Sequence, residues 1–139
     1  MSVIETTLTR LLGIEHPILL APMGSAAGGK LAAAVTNAGG LGLVGSGYAN
    51  ADAIRKELIQ AGNARVGVGF ITWALEKNPS ALDVALDAKP AAVMLSFPPP
   101  PWISWPRSAV LRASGPLVGW AMAMPEPVLA PLAASNGVA

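Results

Sequence analysis

Apolar residues in this chain gather in short continuous runs instead of alternating with polar ones. "ILLA" (Ile18–Ala21), "LGLVG" (Leu41–Gly45), "VGVGF" (Val66–Phe70) and "AVML" (Ala92–Leu95) each hold four or five residues without a charge. Strands covered on both faces read this way. The intervals between them carry helical signals. Lys30–Asn37 ("KLAAAVTN") is Ala-rich, with Gly39 and Gly40 where a left-handed cap would stop it. Asn50 stands as an N-cap, Asp52 favours the positive end of the helix dipole, Ile54 and Leu58 share a face at i,i+4, and Gly62 closes the helix after Ala61. A further helix is expected over Ser80–Ala88, where Leu82, Ala85 and Leu86 form a stripe. Strands alternating with helices predict right-handed βαβ units, a parallel sheet and an α/β fold, with chemistry on the loops that follow the strands.

Gly40, Gly42 and Gly45 fall in the spacing G-x-G-x-x-G. A dinucleotide-binding turn needs a strand before these glycines and a helix after them, so that helix N–H groups meet the pyrophosphate. Here a helix precedes and a strand follows. The glycines are therefore read as a helix–turn–strand junction in which they leave room for neighbouring chain.

Composition narrows the picture further. The chain has 139 residues, a net charge of +1 and 12% charged residues, so one domain is expected, and no electrostatic case exists for nucleic acid. It has no cysteine, which removes disulfides, thiolate metal sites and a cysteine nucleophile, and is consistent with a cytoplasmic protein. The single histidine, His16, cannot by itself make a metal site. Leu31–Ala51 is uncharged, but Asn37, Asn50 and several glycines interrupt it, so no membrane span is expected. The N-terminus lacks the basic-then-apolar order of a signal peptide.

From Pro98 the character changes. Nine of the 13 prolines and three of the four tryptophans fall in Pro98–Ala139, where the charged residues are Arg107, Arg112 and Glu126. Neither helical nor strand period survives "PPPPWISWPRS", so an irregular tail, polyproline-like or disordered, is expected, with short helices near Val128–Ala134.

The order of "HPILLAPMG", "LAAAVTNAGGLGLVGSGY", "VGVGFITWAL" and "PAAVMLSF" resembles the nitronate monooxygenase family, formerly called 2-nitropropane dioxygenases, over roughly Leu8–Phe97. The resemblance implies about four βα units, the N-terminal half, of a (β/α)8 barrel of the TIM type. It implies FMN as cofactor, alkyl nitronates and molecular oxygen as substrates, and oxidoreductase chemistry carried by the flavin. Carried over residue by residue, Ala21, Pro22 and Met23 match the turn after the first strand, where backbone and the Met side chain approach the isoalloxazine ring. Gly69 and Phe70 end the third strand, where relatives often carry an Asn that bonds the flavin, and Ser96 ends the fourth.

The family's later features, a Gly-Gly-His segment with the proposed base and Gly-rich phosphate loops, do not occur in this sequence, so no catalytic residue is assigned. His16 precedes the first strand and belongs at the opposite end of a barrel from the mouth. The pattern departs from the family at Phe97, and the expectation is a truncated flavoprotein with residues 98–139 out of frame and little activity alone. Two alternatives stay open. FMN-dependent enoyl reductases share "APM" and "AGGLG", and "PPPPWISWP" reads as a polyproline ligand for an SH3- or WW-like groove. An open half-barrel also implies exposed strand edges and inward apolar side chains, so the chain is expected to aggregate, to dimerise or to stay partly molten, a homodimer being one of these outcomes.

Overall fold

The computed structural model describes residues 4–96 and the strand at 117–119. The elements are α1 (Thr7–Leu12), α2 (Gly29–Asn37), β1 (Leu43–Gly45), α3 (Ala51–Ala61), β2 (Gly67–Ile71), α4 (Thr72–Lys77), α5 (Ser80–Asp87), β3 (Val93–Ser96) and β4 (Leu117–Gly119). All four strands are parallel and lie side by side in chain order, with Gly45 opposite Gly69 and Gly69 opposite Met94.

Three of the expected strands form, displaced by one or two residues at their ends. The first, Ile18–Ala21, contracts to a single parallel bridge between Leu19 and Leu41, flanked by Leu41 N–H to Ile18 O (3.0 Å) and Leu20 N–H to Leu41 O (3.0 Å). Pro17 and Pro22 bracket it and have no N–H to extend a ladder. The tail needs a second correction. Leu117–Gly119, inside the segment expected to be irregular, pairs in parallel with β3. The expected polyproline run and the helix near Val128–Ala134 lie outside the described residues.

The period-2 alternation of side chains sorts each strand between two cores. Val68, Phe70 and Val93 point to the side covered by helices, where they meet Ile54, Leu75, Ala81, Leu82 and Ala85. Val44 joins Ala32, Ala61 and Val66 beneath α2 and α3. Leu41, Leu43 and Met94 face the other way and pack with Leu12 of α1. That helix was not expected. A reciprocal capping box starts it, with Thr9 N–H to Thr6 Oγ1 (3.1 Å) and Thr6 N–H to Thr9 Oγ1 (2.8 Å), and Gly13 in the left-handed region ends it. Asn50 caps α3 as expected, accepting from Ala53 N–H at 2.9 Å.

The glycines of the G-x-G-x-x-G spacing now have separate reasons. A Cβ on Gly40 would meet Ile18 O at 2.9 Å, one on Gly42 would strike the backbone of Ala32 in α2, and one on Gly45 would meet Gly24 N at 2.6 Å. Each marks a close approach of chain to chain, as the reversed helix–strand order predicts.

Candidate functional site

Parallel strands that run in sequence order bring their following loops to one edge of the sheet. Here that edge collects the turn after Leu20, the turn after β1 and the start of α4 after β2. The turn after Leu20 folds back on itself: Met23 N–H bonds Ala21 O (2.9 Å), and Met23 O accepts from Ala26 N–H (2.9 Å) and Ala27 N–H (2.7 Å). Gly45 N–H then donates to Ala27 O (2.9 Å), which ties the turn to the end of β1.

Pro22 is the keystone of this edge. A Cβ on Gly69 would collide with its ring, and one on Gly45 would lie 3.0 Å from its carbonyl carbon. Two strands thus give up their side chains so that one proline can lie across their ends. Met23, next along, is 59% exposed and Ala21 is exposed, so the turn shows its flank to solvent while Pro22 anchors it.

The sequence-derived site residues separate accordingly. Ala21, Pro22, Met23 and Gly69 come together at this edge. Ser96 is half-buried at the end of β3, on the same sheet face as Met94, and its carbonyl accepts from Thr72 Oγ1 (3.1 Å). Phe70 differs from them: its ring is 1% exposed in the helix-facing core with Leu75 and Leu82, so any part it takes at the edge is through its backbone. Strand parity is the reason, because Gly69 and Phe70 must point to opposite faces.

Sequence reasoning passed over Ser46, Tyr48 and Trp73. Ser46 is 5% exposed, its N–H donates to Gly69 O (3.0 Å), and its hydroxyl has no hydrogen-bond partner among the described residues. A polar residue directly after an apolar strand was the available signal. Tyr48 and Trp73 are exposed, with ring centroids 5.8 Å apart and planes tilted by 47°. His16 lies at the other end of the sheet, where its N–H bonds Gly39 O (2.9 Å) in the turn before β1.

The ion pairs among the described residues, Arg10 with Glu5 and Arg55 with Asp52, are exposed local pairs that add little stability. No group of metal-ligating side chains occurs among the described residues, and no helix there is long and apolar enough to cross a membrane.

A parallel sheet in chain order, α2 to α5 packed on one face and a candidate site on the loops beyond the strands define an α/β protein of the TIM-barrel type. The chain belongs to the nitronate monooxygenase family: the model of that family matches residues 5–87. The nitronate monooxygenase of Paraburkholderia phytofirmans is 38% identical over 101 residues, an alignment covering 73% of this chain and 24% of that protein. A probable nitronate monooxygenase of Staphylococcus aureus is 45% identical over 54 residues, 39% of this chain and 15% of the relative. Among solved structures, FabK from Thermotoga maritima superposes with a TM-score of 0.72 at 30% identity, over 96% of this chain and 42% of its own. The chain therefore spans less than half the length of each of these relatives.

Proposed function

We propose that this chain forms the N-terminal wall of an FMN-dependent site that oxidises alkyl nitronates with molecular oxygen. The observation that carries the reading is the Pro22 keystone: Gly45 and Gly69 lack side chains where the turn Ala21–Met23 closes over them, which fixes Met23 beside the strand ends with its side chain open to solvent. A flat aromatic cofactor needs an apolar, polarisable contact and backbone polar groups that do not move. This turn offers both.

FMN, when bound, supplies the electron transfer from the nitronate and onward to oxygen. The chain's own share is positional. Met23 would lie against the ring, the backbone of Ala21 and Pro22 would meet its polar edge, and the Ser96 hydroxyl would close the far side at β3. Pro22 holds the turn rigid, because its φ is fixed and its ring is lodged against Gly69. Gly69 contributes space for Pro22 and a carbonyl committed to Ser46 N–H. No group in the described residues is assigned as a general base.

A second reading, an FMN-dependent enoyl reductase, draws on the likeness to FabK. Both readings require flavin at the same edge. The test is to mix the purified 139-residue chain with FMN, remove free flavin by gel filtration and record the visible absorbance. A retained band with a shifted maximum is expected, reduced at least tenfold in Met23→Asp. A flavin-free wild-type chain would overturn both readings, and nitronate-dependent oxygen consumption against enoyl-thioester reduction would separate them.

A further inference from the structure

Besides Met23, two large side chains at the carboxyl edge of the sheet stand in solvent: Tyr48 at 74% exposure and Trp73 at 44%. They leave adjacent strands, Tyr48 after β1 and Trp73 in the first turn of α4 after β2, and their rings meet at 5.8 Å. Lys77, one helical turn beyond Trp73, places its Nζ 5.7 Å from the centre of the Trp73 ring. It makes no ion pair among the described residues, so its charge is not consumed by a carboxylate.

The backbone that carries each ring is anchored by its neighbours. Tyr48 sits in a turn whose neighbours Gly47 (φ 56°) and Ala49 (φ 58°) are left-handed; Ala49 is not glycine, yet it is 1% exposed in the helix-facing core, and its N–H bonds Ser46 O (3.1 Å). Non-glycine residues are uncommon in that region, and buried ones gather at ligand-binding edges; the other here, Lys89 (φ 51°), is an exposed helix end. Trp73 is flanked by buried Thr72, Ala74 and Leu75, and Thr72 is tied to Ser96 O. The packing thus spends a strained turn and an anchored helix to display two rings outward.

We propose that Tyr48, Trp73 and Lys77 form a binding rim for a planar aromatic anion, and that it selects nitronates bearing an aryl substituent over short alkyl ones. The substituent stacks on Trp73 against the edge of Tyr48, and the Lys77 ammonium pairs with the nitronate oxygens. This deepens the reading of the edge as a nitronate site and rests on it. The isoalloxazine and phosphate of FMN share the same chemistry, so the experiment separates the two.

Equilibrium dialysis of the 139-residue chain without FMN, using the phenylnitromethane anion as probe and 2-propyl nitronate as the ring-less control, reads binding independently of turnover. Wild-type chain is expected to hold the aryl anion about tenfold tighter than the control, a preference of roughly 1.4 kcal/mol. Trp73→Leu should abolish that preference, and Trp73→Phe should retain most of it. Lys77→Ala, at an exposed helix position, should weaken both anions by roughly fivefold, with Lys77→Arg restoring them, as loss of the cation that pairs with the nitronate oxygens predicts. Equal binding of the two anions by wild type, or an aryl preference untouched in Trp73→Leu, overturns the proposal. So does loss of FMN retention in Trp73→Leu with aryl binding unchanged, which assigns the rim to flavin. Retained flavin and nitronate turnover beside an unaltered aryl preference in Trp73→Leu would sink the rim alone. Selective aryl binding by a chain that retains no flavin would sink the oxidase reading and leave the rim.

Discussion

Gly69 shows how much a single missing side chain decides. In a strand interior, glycine ordinarily weakens the sheet, and Gly→Ala there is worth about 0.5–1 kcal/mol of stability. In this protein the sign reverses, because the space a methyl group would take is filled by the Pro22 ring. Gly69→Ala should destabilise the chain by about 1–3 kcal/mol, the cost of overpacking a closed contact. Urea unfolding measures it, and an unchanged or raised midpoint would show that Pro22 does not occupy the notch. The change should also lower flavin retention, since the displaced turn carries Met23. The sequence made Gly69 visible as a strand-end glycine and Pro22 as a strand stop. It could not show that one fills the other, because their contact joins positions 47 residues apart in the chain, 69 − 22.

Among the elements, α2 shows a helix start that invites a wrong functional reading. It follows a Gly-rich loop, and free N–H groups at such a start suit phosphate. Its first N–H is already taken: Gly29 donates to Glu57 Oε2 of α3 at 2.8 Å. Gly29 also lets α3 approach, since a Cβ there would strike Glu57 O. Glu57→Ala should cost about 1.5 kcal/mol, the worth of a partly exposed hydrogen bond to a charged group, and Glu57→Gln less because an acceptor remains. Thermal unfolding of the pair checks it; equal losses would mean that packing, not the bond, joins the helices. Helices with strong local signals, α3 with its Asn50 cap and α5 with its Leu82 stripe, were legible from the sequence. The six-residue α1 and α4 were not, because they are too short for a period to emerge. The capping signal of α1 was weak too, with Thr9 standing where Glu or Gln usually completes the box.

For the whole molecule, the sheet's first edge is thin. Among the described residues only the bridge at Leu19 continues the pairing beyond β1, and Ile18 beside it is 58% exposed. Unpaired strand edges next to exposed apolar side chains recruit further strands. The 139-residue chain alone should therefore self-associate, with a mass by light scattering that rises with concentration above the 14.1 kDa of one chain. A concentration-independent monomer would mean that this edge is adequately covered. Lys in place of Ile18 should reduce the association.

By itself the sequence determined the α/β class, the parallel alternation, three of the strands and the family, because those depend on local propensity, on runs of apolar residues and on short motifs whose order is preserved. It also determined that Gly40, Gly42 and Gly45 belong to the scaffold, since the helix precedes the strand. The tertiary structure alone decided the rest. It turned Phe70 into the helix-facing core, fitted Pro22 across Gly45 and Gly69, drew Leu117–Gly119 into the sheet beside β3, and brought Tyr48 and Trp73 into contact beyond adjacent strands. Each of those outcomes is set by strand parity and register between segments distant in the chain, and neither quantity exists until the strands have paired.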